Sequence, residues 1–132
     1  MGARVMIVDD EPYIRLAVRK LLKRRGIELL ESDCGKACLE NLRQGFRGLI
    51  LMDVMMPGMN GWETVRQIVE QGLHEGNIIF MLTALETPGE QIEDLQKYVV
   101  DYITKPFEPE VLLATCDTYL AYLEKMQTTG VK

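Results

Sequence analysis

Short apolar runs alternate along this chain with stretches whose apolar positions recur at helical spacing. Arg4–Val8, Ile27–Glu31, Leu49–Met52, Ile78–Leu82 and Val99–Ile103 are predicted strands. Most are continuously apolar rather than alternating, as in strands covered on both faces. The intervening stretches carry helix punctuation. Pro12 stands at a first-turn position, and Ile14, Ala17, Val18, Leu21 and Leu22 mark one face before Gly26 stops the helix. Lys36–Gln44 is a shorter helix. Asn60–Glu63 and Thr87–Glu90 both have capping-box form, a side-chain oxygen followed three residues later by a carboxylate. Pro109 opens the last helix, with Leu112, Leu113, Cys116, Leu120 and Leu123 in phase. The order is (βα)5. Parallel strands joined by right-handed crossovers give an open α/β sheet with helices on both faces.

Composition narrows the classes of function. The 132 residues suit one domain, and 47% hydrophobic content supports a buried core. A net charge of −5 argues against general nucleic-acid affinity, which needs a basic footprint. Three cysteines (Cys34, Cys38, Cys116) without framework spacing suggest reduced thiols and a cytoplasmic location. No run approaches the roughly 18 apolar residues of a membrane helix. The expected organisation is one domain over residues 1–126 with a loose tail at 127–132.

In open α/β sheets the chemistry lies beyond the carboxyl ends of the strands. Asp9, Asp10 and Glu11 follow the first strand, Asp53 the third, Thr83 the fourth, and Thr104-Lys105-Pro106 the fifth. Three carboxylates at one edge repel one another, by about 4 kcal/mol for unit charges ~4 Å apart at a surface-like dielectric. An offsetting cation is required. Oxygen-only ligands suit Mg²⁺, and Lys105 supplies a further point charge. Taken singly, each residue has a bland alternative as a turn, a cap or an exposed side chain. Their convergence on one edge favours a site.

These residues carry a resemblance to the receiver domain of two-component response regulators, covering about residues 4–124. It rests on Val8-Asp9-Asp10-Glu11-Pro12, on Met52-Asp53-Val54-Met55-Met56-Pro57-Gly58-Met59-Asn60-Gly61-Trp62-Glu63, on Leu82-Thr83-Ala84, and on Asp101 to Phe107. Thr83 and Lys105 lie 30 and 52 residues beyond Asp53. The resemblance implies the flavodoxin-like architecture with strand order 2-1-3-4-5. It implies that Asp53 is the phosphoacceptor, taking a phosphoryl group from a phosphohistidine. Asp10, Asp53 and the Met55 backbone carbonyl would hold Mg²⁺ (with Mn²⁺ as a substitute), and Asp9 would act through a water. Lys105, through a cis Lys105–Pro106 bond, would pair with phosphoryl oxygens, Thr83 would move toward them, and Tyr102 would be the aromatic switch. The implied output is a changed surface on the fourth helix, fifth strand and fifth helix. Such a protein is a switch rather than a turnover enzyme. Its donor is a histidine kinase or phosphotransfer protein, and its target a protein partner or an output domain in a longer chain. A phosphorylation-dependent dimer fits the same logic; nucleic acid and membrane do not.

Two other classes fit these residues less well. An Asp-nucleophile phosphatase needs an Asp-x-Asp pair after its first strand, whereas Asp53-Val54-Met55 has no second Asp. A flavin-binding domain needs a Ser/Thr/Gly-rich phosphate loop, which Asp9-Asp10-Glu11-Pro12 is not. Tyr98 stands where the family commonly has Gly, so the end of the fourth helix is expected to differ. It is either partner-facing or locally packed. Met55 and Leu85 are apolar and leave no side chain to orient water, which predicts slow loss of the phosphoryl group. The basic cluster Lys20, Lys23, Arg24 and Arg25 is read as complementing its helix dipole. His74, in a Gly-flanked loop, is a poor phosphodonor. The Met52, Met55, Met56 and Met59 group belongs to the packing of the acceptor loop.

Overall fold

The computed structural model describes residues 4–83 and 90–128. Five strands form one parallel sheet: β1 (Val5–Val8), β2 (Leu29–Ser32), β3 (Leu49–Asp53), β4 (Ile78–Thr83) and β5 (Val99–Thr104). Their order is β2-β1-β3-β4-β5, as the resemblance implied. Four α-helices cross between or follow them: α1 (Pro12–Lys23), α2 (Gly35–Arg43), α3 (Gly61–Glu70) and α4 (Pro109–Thr128). The fourth crossover is a 3-10 helix, Glu90–Tyr98.

The continuously apolar strands are buried on both faces because successive side chains leave a strand on opposite sides. Val5, Ile7, Leu49, Leu51, Phe80 and Leu82 pack with α1 and α4. Met6, Val8, Ile50, Met52, Ile79 and Met81 pack on the other side with α2 and α3. Register places the strand ends together: Val8 lies beside Met52, Asp53 beside Leu82, and Thr83 beside Thr104.

Several boundaries differ from the sequence reading for identifiable reasons. β2 starts at Leu29, not Ile27, because Ile27 is drawn into the end of α1. Gly26, at φ 68°, donates to the Lys23 carbonyl, and the Ile27 N–H donates back to Leu22 at 3.0 Å. α2 begins one residue early because Cys34 caps it, its sulfur accepting from the Ala37 N–H at 3.5 Å. The Asn60 capping box is complete, with Asn60 and Glu63 exchanging two hydrogen bonds of 2.9 Å. The second expected box lies partly outside the described residues, at Thr87. From Glu90 the chain follows the tighter 3-10 winding, which rises farther per residue than an α-helix. It runs straight into β5 with no glycine between. Tyr98 there is half-buried, its ring edge-on to His74 at 5.1 Å, so local packing is its role. α4 runs to Thr128, past the expected boundary at 126, and 129–132 lie outside the described residues.

The cysteines make a simple prediction. Cys38 and Cys116 are buried, and desolvation pushes both thiols up to about 12, so almost no thiolate forms at pH 8. Cys34 is partly exposed. Iodoacetamide on the native protein should modify Cys34 alone, with all three reacting in guanidinium, as read by peptide mass spectrometry. Equal labelling of Cys38 without denaturant would contradict this packing.

Candidate phosphoacceptor site

Asp53 is the last residue of β3, and its carboxylate is buried at 2% exposure beside the fully buried Asp9. Beyond it, Gly61 donates to the Val54 carbonyl at 2.9 Å, closing the 54–61 loop back on its start. Asp9 lies just past β1, where the Glu11 N–H donates to Asp9 Oδ1 at 2.9 Å. Arg15, one turn into α1, donates to the Asp9 carbonyl at 2.8 Å. Asp10 is half-buried. One carboxylate oxygen from each of Asp9, Asp10 and Asp53 lies within 4.8 Å of the other two.

Lys105 reaches this cluster from the end of β5. Its Nζ stands 2.9 Å from Asp9 Oδ2, 3.1 Å from Asp53 Oδ1 and 3.4 Å from Glu11 Oε1. The Lys105 N–H donates to the Thr83 carbonyl at 2.8 Å, and the Lys105–Pro106 peptide bond is cis. Burial alone would lower the ammonium pKa; the hydrogen bonds and charges of Asp9 and Asp53 outweigh it and hold the group above its ordinary value. The balance at Asp53 runs the other way. Burial, then the charge of Asp9, push its carboxyl up to about 6, against the pull of Lys105 and of the Met55 N–H.

The donor set fits a hard divalent cation. Asp53 Oδ2 is buried without a hydrogen-bond partner, and Lys105 contacts Asp9 and Asp53 of the three clustered carboxylates. An unpartnered buried carboxylate oxygen is what an oxygen-seeking ion such as Mg²⁺ would satisfy.

All the expected site residues with described positions lie at this end of the sheet. Thr83 is buried at the end of β4. Tyr102, on β5, is half-buried, with its ring 6.2 Å from the buried Trp62 ring. Met55, two residues past Asp53, has an exposed side chain, whereas Met52 and Met56 are buried and Met59 packs beside them. Ala84 and Leu85 lie outside the described residues. The roles of Glu11, Arg15, Cys34 and Trp62 were missed from sequence. Glu11 and Arg15, four residues apart at the start of a helix abutting Asp9, were the available signal.

A doubly wound sheet with an acidic trio and a lysine at its strand ends defines an α/β domain with a candidate metal site at the carboxyl edge of its sheet. Comparison with known proteins makes this specific. The response regulator receiver domain model matches residues 5–117, and the chain belongs to that family. It is 29% identical to protein PilH of Pseudomonas aeruginosa, over 90% of this chain and 98% of PilH. It is 33% identical to the transcriptional regulatory protein SrrA of Staphylococcus aureus, over the whole chain but only 52% of SrrA. The chain likewise spans 57% of PhoB of Escherichia coli, at 29% identity. Among solved structures, a CheY-like receiver domain protein from Methanospirillum hungatei aligns with a TM-score of 0.88 at 42% identity, covering 93% of this chain and 98% of that one. Chemotaxis protein CheY4 of Vibrio cholerae gives 0.78 at 32%, covering 91% of this chain and all of its own.

Proposed function

We propose that this receiver domain accepts a phosphoryl group on Asp53 from a phosphohistidine, and that the modification switches a distant surface for partner binding. The observation that carries the reading is the unpartnered, buried Asp53 Oδ2 beside a lysine bound to Oδ1. Both oxygens of the carboxylate carry lone pairs, so one can be held by a cation while the other attacks phosphorus. The new O–P bond of an acyl phosphate forms as the donor's N–P bond breaks, and the leaving imidazole takes a proton from solvent. Asp10 and Asp53, with the Met55 backbone carbonyl, would hold Mg²⁺, and Asp9 would act through a water. The ion supplies positive charge for the phosphoryl oxygens. Lys105 adds its own, which suits a loose transition state that needs positioning and neutralisation.

The added charge, roughly −1.5 to −2, gives Thr83 and Tyr102 a new group to respond to. The Lys105 backbone hangs on Thr83, so the group facing the phosphoryl and the switch residue share one hydrogen bond. The affected surface comprises the 3-10 segment, β5 and α4, which stand for the fourth helix, fifth strand and fifth helix expected from sequence. The domain acts as a switch, not as a turnover enzyme. The reading places it in a cytoplasm with a histidine kinase or phosphotransfer donor; no helix among the described residues is long and apolar enough to cross a membrane.

Incubation with acetyl phosphate and Mg²⁺, followed by intact-mass measurement, tests the assignment. The parent chain gains one phosphoryl group; Asp53→Asn and an EDTA-treated sample do not. Equal labelling of the variant would sink it. The apolar, exposed Met55 further predicts that the label decays over minutes rather than seconds.

A further inference from the structure

The three clustered carboxylates are not anchored alike. Asp53 is the last residue of β3 and stands in register beside Leu82, so the sheet fixes where its side chain starts. Asp9 and Asp10 lie beyond β1, which ends at Val8. Their side chains branch from the two ends of one peptide unit, and because that unit is planar, holding its oxygen orients both Cα atoms. Arg15 holds that oxygen. Its Nη1 donates to the Asp9 carbonyl at 2.8 Å, while its Nε pairs with Glu31 Oε1 of β2 at 3.4 Å. Glu31 is braced in turn by Arg19, whose Nε donates to Oε2 at 2.7 Å. The next residue of β2, Ser32, accepts from the Asp9 N–H at 3.1 Å. Two adjacent residues of β2 thus grip the Asp9 backbone, one directly and one through a guanidinium.

By charge alone Arg15 is the wrong residue for this place. Like charges repel, so deleting a guanidinium beside a cation site should tighten binding of a divalent ion. Its side chain is nevertheless turned inward, at 19% exposure against 54% for Arg19, although both reach the same glutamate. Its benefit to the site must be geometric. We propose that Arg15 is a positioning residue for the divalent cation that Asp9, Asp10 and Asp53 would share. It ties the Asp9–Asp10 peptide to β2 through Glu31, so two of the three carboxylates are aimed before the ion arrives. Order supplied in advance need not be imposed by the ion on binding. Groups that orient metal ligands without touching the metal commonly account for tenfold or more of its affinity. The proposal rests on the metal part of the phosphoacceptor reading and extends it to α1 and β2, outside the acidic cluster.

Calorimetric Mg²⁺ titration of the parent chain, Arg15→Met, Arg15→Lys and Arg19→Met tests it, with the Tm of each measured in EDTA. Methionine keeps an unbranched stem and removes both donor and charge. Arg15→Met should bind Mg²⁺ about tenfold more weakly, opposite in sign to the charge effect. Arg15→Lys keeps the charge but lacks the planar fork that spans both partners, and should lose a smaller factor. Arg19→Met loses the same charge and the same glutamate but no contact with Asp9, and should bind as the parent does or slightly more tightly. In acetyl phosphate labelling, Arg15→Met should need about tenfold more Mg²⁺ for half-saturation, while its rate at saturating Mg²⁺ falls by less than about twofold, because the bound ion then orders the carboxylates. Parent-like or tighter Mg²⁺ binding by either Arg15 variant would overturn the proposal, and Arg15→Lys alone decides should Arg15→Met fail to fold. An equal loss in Arg19→Met would also overturn it, by making the effect one of α1 packing on β2. A parent chain that binds Mg²⁺ but takes no label would overturn the phosphoacceptor reading and leave this one standing. One that binds no Mg²⁺ would overturn both.

Discussion

In EDTA at pH 7.5, Asp53→Asn unfolds at a higher temperature than the parent chain, and the advantage shrinks toward nothing at pH 4. The expectation follows from the burial of Asp53 beside Asp9, which raises its carboxyl from 3.8 to about 6. Between those values the folded chain holds a proton that the unfolded chain releases. Stability therefore falls as pH rises through this window, and the full penalty is present above pH 6. A shift of about two pKa units corresponds to an upper bound of about 3 kcal/mol. The amide removes the ionisation while keeping the shape, at the loss of one charge-assisted bond to Lys105. Lys105 retains Asp9 at 2.9 Å, so it is not stranded. A net gain of about 1–3 kcal/mol, several degrees in Tm, is expected at pH 7.5. Mg²⁺ should raise the parent's Tm more than the variant's, because only the parent offers all three carboxylates. A difference in Tm between variant and parent that is the same at pH 4 and 7.5 would show that the Asp53 carboxylate is not in this environment. Asp53, the residue proposed to accept the phosphoryl group, is thus also a source of instability.

Gly61→Ala should destabilise the protein by about 2–4 kcal/mol in urea titration and also impair phosphoryl uptake. A Cβ at Gly61 runs into the Asp53 carbonyl oxygen and comes within 2.9 Å of the Val54 Cα. These obstacles are backbone, not the ends of flexible side chains, so the start of α3 must move away from the acceptor strand. That motion breaks the Gly61-to-Val54 hydrogen bond that closes the loop. Gly58→Ala is the informative control. Gly58 has φ +74°, and nothing lies within 4 Å of its Cβ position, so only left-handed strain of about 1–2 kcal/mol is added. Equal losses from the two substitutions would mean that the close approach of α3 to Asp53 does not matter.

The sheet was legible because its three central strands, β1, β3 and β4, are buried on both faces and leave short, unbroken apolar runs between helical stretches. Its strand-end carboxylates, Lys105 and Thr83 were legible because topology sends all strand ends to one edge. Local geometry was less accessible. β2 moved by two residues because Ile27 served the end of α1, a choice made by one N–H rather than by hydrophobicity. The winding of Glu90–Tyr98 was not visible either, since its apolar spacing suits an α-helix as well. The Cys34 cap, the Glu11 contact with Lys105 and the Trp62–Tyr102 pair depend on side-chain directions fixed only after the layers assemble.

The two layers of the core also differ in material. Val, Ile, Leu and Phe fill the side against α1 and α4, and every buried methionine of the core (Met6, Met52, Met56 and Met81) lies on the side against α2 and α3. Branched and aromatic side chains lock into few rotamers, whereas thioethers repack at little cost. The domain is therefore stiff on one flank and compliant on the other. Trp62 and Tyr102 sit on the compliant flank, so a shift at the strand ends is absorbed there, leaving α1 as the fixed frame against which it registers.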